Sequence, residues 1–123
     1  MTVKDIEEQA RNILLDTDEN AYRFTEKEVY LALKQGIAEV KRLRPESRYV
    51  NGLLIEYDLS VPSVAPAGGW AAWAASQTIS MDEFFQQALI FFVVYRMYLK
   101  DDADTNNAQL AKEYLAFFQG EVA

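Results

Sequence analysis

The segment Met81–Lys100, MDEFFQQALIFFVVYRMYLK, constrains the fold of this chain most, because its apolar side chains occupy every face a helix could present. From Ala88 to Tyr95 no polar stripe remains, so a helix here must be enclosed by protein on all sides. It reads as the central helix of a bundle. The uninterrupted apolar run is bounded by Asp82 and Glu83 before it and by Arg96 after it, well short of the roughly 18 to 20 residues that cross a bilayer. No membrane span and no membrane partner are expected. A small chain with so aromatic a helix must wrap it in its own other helices or in copies of itself.

A chain of 123 residues fits one domain, 1–123, large enough for a core without disulfide or metal staples. Its 19 acidic and 12 basic side chains give a net charge of −7, which argues against a tight grip on nucleic-acid phosphates, since that grip comes from Lys and Arg. Solubility is the plain account of the acidity. The chain has no cysteine and no histidine. Together these absences remove disulfides, thiolate nucleophiles, the commonest general base and the commonest transition-metal ligands, leaving carboxylates, Lys and Tyr for chemistry. The expectation is a protein that is no enzyme, with no cofactor and no metal. The N-terminal MTVKDIEEQA carries acids and no apolar stretch, so a secretory signal is not expected and the product is expected in the cytoplasm.

Two helix starts are written clearly. Thr25 stands as an N-cap with Glu28 three residues on, and Phe24 with Val29 forms a hydrophobic staple. Ser80, Glu83, Ile79 and Phe84 repeat that grammar ahead of the central helix. The helix from Glu26 carries Val29, Leu33, Ile37, Val40 and Leu43 at helical spacing and stops before Pro45. A first helix follows from Val3, Ile6, Ala10, Ile13 and Leu14, with Thr2 as its cap. A last one follows from Leu110, Tyr114, Leu115, Phe117 and Phe118, closing near Gly120 in a left-handed cap. The fold class is therefore mainly α: a small four-helix domain with a long loop or β-hairpin excursion, residues 49–78, between the second and third helices.

That excursion is β-prone from Tyr49 to Leu59 and rich in Pro, Gly and Ala from Val61 to Ser76. Long irregular segments in small domains are disordered or functional. Trp70 and Trp73, after the Gly68-Gly69 hinge, either fold back over the helices or form a contact arm for a partner. The segment is expected to be an assembly element separable from the minimal fold. Trp70, Trp73 and Tyr57, together with Arg42, Arg44 and Arg48 at the end of the second helix, are the candidate interface residues.

Other constellations carry less. Asp16, Asp18 and Asn20 have the D-x-D-x-N spacing of a calcium loop, but Ala21 replaces the turn glycine and Lys27 the bidentate Glu. Asp102, Asp104 and Asn106 repeat the spacing with Glu113 at the twelfth position, yet Asn107 replaces the glycine and the turn reads better as a helix cap. Lys41, Arg42, Arg44 and Arg48 cluster where positive charge suits the carbonyl end of a helix. A smaller role is contact with a phosphate or an acidic partner. Arg96, inside the aromatic helix, calls for a carboxylate such as Asp101 or Glu39.

Thr25-Glu26-x-Glu28-x-Tyr30-Leu31-Ala32-Leu33 running on to Leu43-Arg44-Pro45-Glu46, then Tyr95-Arg96-x-Tyr98-x-x-Asp101 and a last helix ending Tyr114-Leu115-x-x-Phe118, resembles the head-to-tail adaptor (connector) proteins of tailed bacteriophages. The resemblance implies a helical subunit of a ring homo-oligomer, commonly a dodecamer, at the head–tail interface of the virion. Such a ring docks beneath the portal protein, meets the tail components and lets DNA pass through its channel without tight binding. The excursion 49–78 departs most from that pattern. Two other classes stand beside it: a non-viral helical protein–protein interaction module, and an acidic DNA-mimic inhibitor. In a mimic the acids would gather on one face, whereas Asp5, Glu7, Glu8, Asp16, Asp18, Glu19, Asp58 and Asp101 are scattered.

Overall fold

Thr2 opens the first helix, α1 (Val3–Leu14), through the reciprocal box its neighbours allow: its hydroxyl accepts from the Asp5 N–H, and the Asp5 carboxylate accepts from the Thr2 N–H. The same helix ends without a glycine. Leu15 takes the left-handed conformation (φ 56°), its N–H donates to the Asn12 carbonyl, and the Asp16 N–H reaches back to Arg11. This is a Schellman ending built on leucine, and Leu15 itself points into solvent. The computed structural model describes residues 1–18, 22–100 and 105–123, with the side chain of Thr105 excepted.

Helix α2 (Glu26–Leu43) starts at Thr25, whose hydroxyl accepts from the Glu28 N–H, and Phe24 and Val29 are both buried in the core, as the staple requires. The box is not reciprocal, because Glu28 instead pairs with Lys100 at 3.5 Å. Pro45 ends the helix and begins a 3₁₀ turn, Pro45–Arg48. A two-stranded antiparallel hairpin follows, β1 (Tyr49–Val50) with β2 (Leu53–Leu54), Tyr49 opposite Leu54 and Val50 opposite Leu53. Asn51 (φ 52°) and Gly52 (φ 80°) make the tight turn, in the left-handed region that an Asn-Gly pair tolerates.

Beyond the hairpin the chain runs back along α2 as an extended strap and enters a short helix, α3 (Trp70–Ser76). The strap and α3 belong to the fold, which corrects the expectation that the whole excursion is separable from it. Leu59 and Ala74 are buried in the core, α3 packs on α1, Thr2 bridges Thr78, and Val3 and Ile79 exchange backbone hydrogen bonds with Gln77 and Met1.

The central helix, α4 (Gln86–Lys100), begins later than the Ser80 cap predicts. Asp82 caps a 3₁₀ turn, Glu83–Phe85, by accepting from the Phe84 N–H at 2.9 Å, and the α-helix continues from it. α4 packs against α1, α2 and α5 (Thr105–Glu121). Leu89, Val93, Val94 and Met97 are fully enclosed, as the all-round apolar pattern requires. Phe92 lies on Gly36 of α2, where an added Cβ would stand 3.0 Å from the ring, and meets Phe118 of α5 at 5.1 Å between ring centres. Gly120 is no left-handed cap: α5 runs through it to Glu121 and leaves φ in the ordinary region. The result is a four-helix core with a hairpin and one extra short helix inserted between α2 and α4. Among the described residues no helix is long and apolar enough to cross a membrane.

Candidate functional site

Two polar systems hold the fold's unusual segments in place. The first lies where α1 meets α2. The Arg11 guanidinium donates to Glu7 at 2.9 Å, to Asp16 at 2.8 Å and to the Phe24 carbonyl at 3.0 Å, and it stacks 3.6 Å from the centre of the Tyr22 ring. Asp16 also accepts from the N–H groups of Arg23 and Phe24, at 2.7 and 3.1 Å. Tyr30 donates to Glu7 at 2.8 Å, and its hydroxyl is pushed well above the ordinary tyrosine range, first by burial and then by the Glu7 charge beside it. Asp16, read in the sequence against a calcium template, thus staples the α1–α2 connection. Lys27, at that template's last position, reaches the Ser63 carbonyl instead. Asn20, Ala21, Asp102 and Asp104 lie outside the described residues.

The second system is a ladder on α2. Lys27, Lys34 and Lys41, seven residues apart, donate to the carbonyls of Ser63 (2.8 Å), Leu59 (2.7 Å) and Tyr57 (2.9 Å), and Lys34 also meets Asp58 at 3.2 Å. A spacing of seven is two helical turns, so one stripe of ammonium groups fastens an antiparallel strap to the helix. The heptad of lysines is visible in the sequence, but its target is not. Trp70 and Trp73 fold back on the same helix, 5.5 and 5.1 Å from the Tyr30 ring and 5.8 Å from each other. Of the two roles open to them, covering the helices is the one the structure contains. Both rings remain half-buried. Tyr57 packs partly into the core, and its hydroxyl is raised by burial and by Asp58.

The four basic residues at the end of α2 do not form a free cationic patch. Lys41 belongs to the ladder, and Arg42 pairs with Glu39 at 2.8 Å. Arg44 pairs with Glu46 and donates to the Ala123 carbonyl at 3.2 Å, while Arg48 meets Glu56 at 3.5 Å at the base of the hairpin. The Glu46 carboxyl is held below the usual carboxylate range by its own backbone N–H first and by Arg44 second. Of the partners expected for Arg96, Glu39 serves Arg42 and Asp101 lies outside the described residues; among the described residues Arg96 makes no ion pair.

Among the described residues, the hairpin, one groove and one aromatic ridge stand out on the surface. The hairpin exposes Leu53, Leu54 and Ile55 at 68%, 54% and 41%. A run of three consecutive exposed apolar residues is uncommon unless it serves a contact. A groove of about 670 Å³ opens between α2 and α5 with α4 as its floor. Beneath it lie Phe92, Phe118 and Val122, all buried in the core, and the half-buried Leu115, while Gln35, Glu39, Arg42, Arg96 and Gln119 give it a polar rim. On the other flank of α5, Phe91, Tyr98, Tyr114 and Phe117 form an aromatic ridge with neighbouring ring centres 5.4 to 6.0 Å apart. Phe117 is 50% exposed, and the Tyr114 hydroxyl is raised by burial and by neighbouring Tyr98 and Glu113. Sequence reasoning names Leu53–Ile55 only as strand and misses both the groove and the ridge, because exposure depends on which faces α5 covers. Among the described residues, no group of three or more acidic side chains is placed to hold a metal ion.

Comparison of the chain with family models, curated proteins and solved structures finds no match.

Proposed function

We propose that this protein is a structural assembly subunit, the head-to-tail adaptor of a tailed bacteriophage, which forms a ring beneath the portal and extends the DNA channel towards the tail. The observation that carries the reading is the hairpin with three consecutive exposed apolar residues, Leu53, Leu54 and Ile55. Exposed apolar surface of this kind marks a protein–protein contact. The hairpin and the ridge are different surfaces, and a contact joining unlike surfaces of successive copies gives a ring when its rotation closes. The net charge of −7 suits a channel through which DNA must slide. A DNA mimic is disfavoured by the use the chain makes of its acids, since Glu7 and Asp16 are buried on Arg11, and Glu39, Glu46 and Glu56 each face an arginine.

The interaction-module reading is favoured by the groove alone, which could take a foreign peptide as well as a copy. Negative-stain microscopy of the purified protein, with and without its portal, separates the two. The adaptor reading expects rings with a central hole, portal-bound when portal is present, and phage lacking the gene should make heads without attached tails. A protein that forms no ring and leaves portal untouched would replace the adaptor reading with the module.

A further inference from the structure

We propose that the strap is a latch: residues 57–67 lift off α2 as one unit, between a hinge at Glu56 and a hinge at Gly68-Gly69, and their release leaves the hairpin anchored at one end only. Among the described residues, 56–65 make no backbone-to-backbone hydrogen bond, so nothing of the kind that fixes a helix or a sheet holds this stretch. It is held from outside instead. Lys41 holds the Tyr57 carbonyl, Lys34 that of Leu59 and Lys27 that of Ser63, and Leu59 is the one buried side chain between Glu56 and Gly69. Tyr57 and Val61 pack only partly against the core.

Both ends are built to turn. Glu56 has φ 50°, a left-handed conformation unfavourable for a residue with a Cβ, and opening relieves it. Gly68 and Gly69, at φ 86° and 90°, take their conformations without that cost. Nothing lies within 4 Å of a Cβ added at Gly69, so this glycine serves the backbone rather than close packing. In the closed state the hairpin is tied to α2 on both sides, through the turn Pro45–Arg48 and through the Lys41 rung beside Glu56. Opening removes the second tie, while the Ile55 N–H on the Arg48 carbonyl keeps the hairpin itself shut, so the hairpin swings as a body about Pro45–Arg48. Withdrawing Leu59 from the core opposes this and keeps the open state a minor population. The latch belongs to the single subunit and stands apart from ring assembly.

The chain has no cysteine, so one introduced thiol reports the opening. Leu59→Cys places it under the closed strap, and Val93→Cys places it in the enclosed part of α4. In native buffer, Leu59→Cys should react with a thiol reagent at least roughly tenfold faster than its own global unfolding, measured in urea, allows. Val93→Cys should react no faster than its global unfolding allows. Adding Lys27→Ala to Leu59→Cys should speed labelling roughly two- to tenfold, about as much as adding Lys34→Ala, because the distant rung opens with the near one. In the wild-type chain, a pulse of chymotrypsin should cut after Tyr57 or Leu59 under conditions that leave the helices intact, and Lys27→Ala should speed that cut. Labelling of Leu59→Cys only at the rate of global unfolding would overturn the latch, as would a wild-type strap that resists cutting until the helices unfold. Acceleration by Lys34→Ala without acceleration by Lys27→Ala would overturn the single opening unit in favour of fraying around Leu59.

Discussion

The hairpin (49–55) and the strap (57–63) are neighbours in one irregular segment, both with apolar residues to bury, yet they end in opposite states. Leu59 in the strap is 1% exposed, whereas Leu53 and Leu54 in the hairpin are more than half exposed. Hydrophobicity does not separate them. The strap has carbonyls within reach of Lys27, Lys34 and Lys41, and beside them Leu59 lies in the core. The hairpin satisfies its own backbone through the Asn51-Gly52 turn and so never needs α2. A short apolar segment is buried where its backbone finds partners on the core, and stays available for another chain where it pairs with itself.

The comparison can be broken from the strap side first. Leu59→Ala should lower stability by about 2 to 5 kcal/mol, the range for truncating a fully enclosed leucine, measured by urea unfolding. A loss near zero would show that the strap is only draped on the surface. Next comes alkaline pH, through the hydroxyl of Tyr30, whose ring carries Trp70 and Trp73. Its folded-state pKa lies above the unfolded value, so its contribution is complete below about pH 10 and declines as pH rises beyond that, by at most about 1.4 kcal/mol per pH unit. Tyr30→Phe should flatten the fall between neutral and strongly alkaline melts, with Tyr57 and Tyr114, also raised, supplying the remainder.

Lys34→Ala removes one rung of the ladder and should cost about 0.5 to 1.5 kcal/mol, with faster proteolysis in the strap as the more sensitive readout. Smallest of all should be Leu54→Asp, within about 0.5 kcal/mol of wild type in thermal unfolding, because the residue touches no core. A large loss there would place the hairpin inside the fold and erase the contrast with the strap.

The parts legible in the sequence are those in which one local pattern has one meaning. The all-round apolar run of α4 could only be enclosed, and Thr25 ahead of Glu28 and an apolar run marked a helix start. The Asn51-Gly52 turn is passed over, because Tyr49–Leu59 reads as one β-prone run. Local patterns with two meanings misled. Ser80 and Asp82 are both competent caps, and a 3₁₀ turn settled the matter two residues late. Gly120 can end a helix or pass through one, and Leu15 takes a left-handed cap with no glycine to announce it. Trp70–Ser76 is helical because its alanines favour helix, though the prolines and glycines before it suggest a loop. What could not be read is what lies between distant segments: the pairing of Arg11 with Asp16, the carbonyls that take the lysine heptad, and the groove left open because α2 and α5 stand on either side of α4.

The central claim is that unlike surfaces of one chain join copies into a closed ring. Mass photometry of the purified wild-type protein tests it most directly. A single discrete assembly at a fixed multiple of the 14.1 kDa subunit, replaced by monomer in the Leu53→Asp, Leu54→Asp variant, is the predicted result. Monomer alone at all accessible concentrations, or a wild-type assembly that stops at two copies, would contradict it.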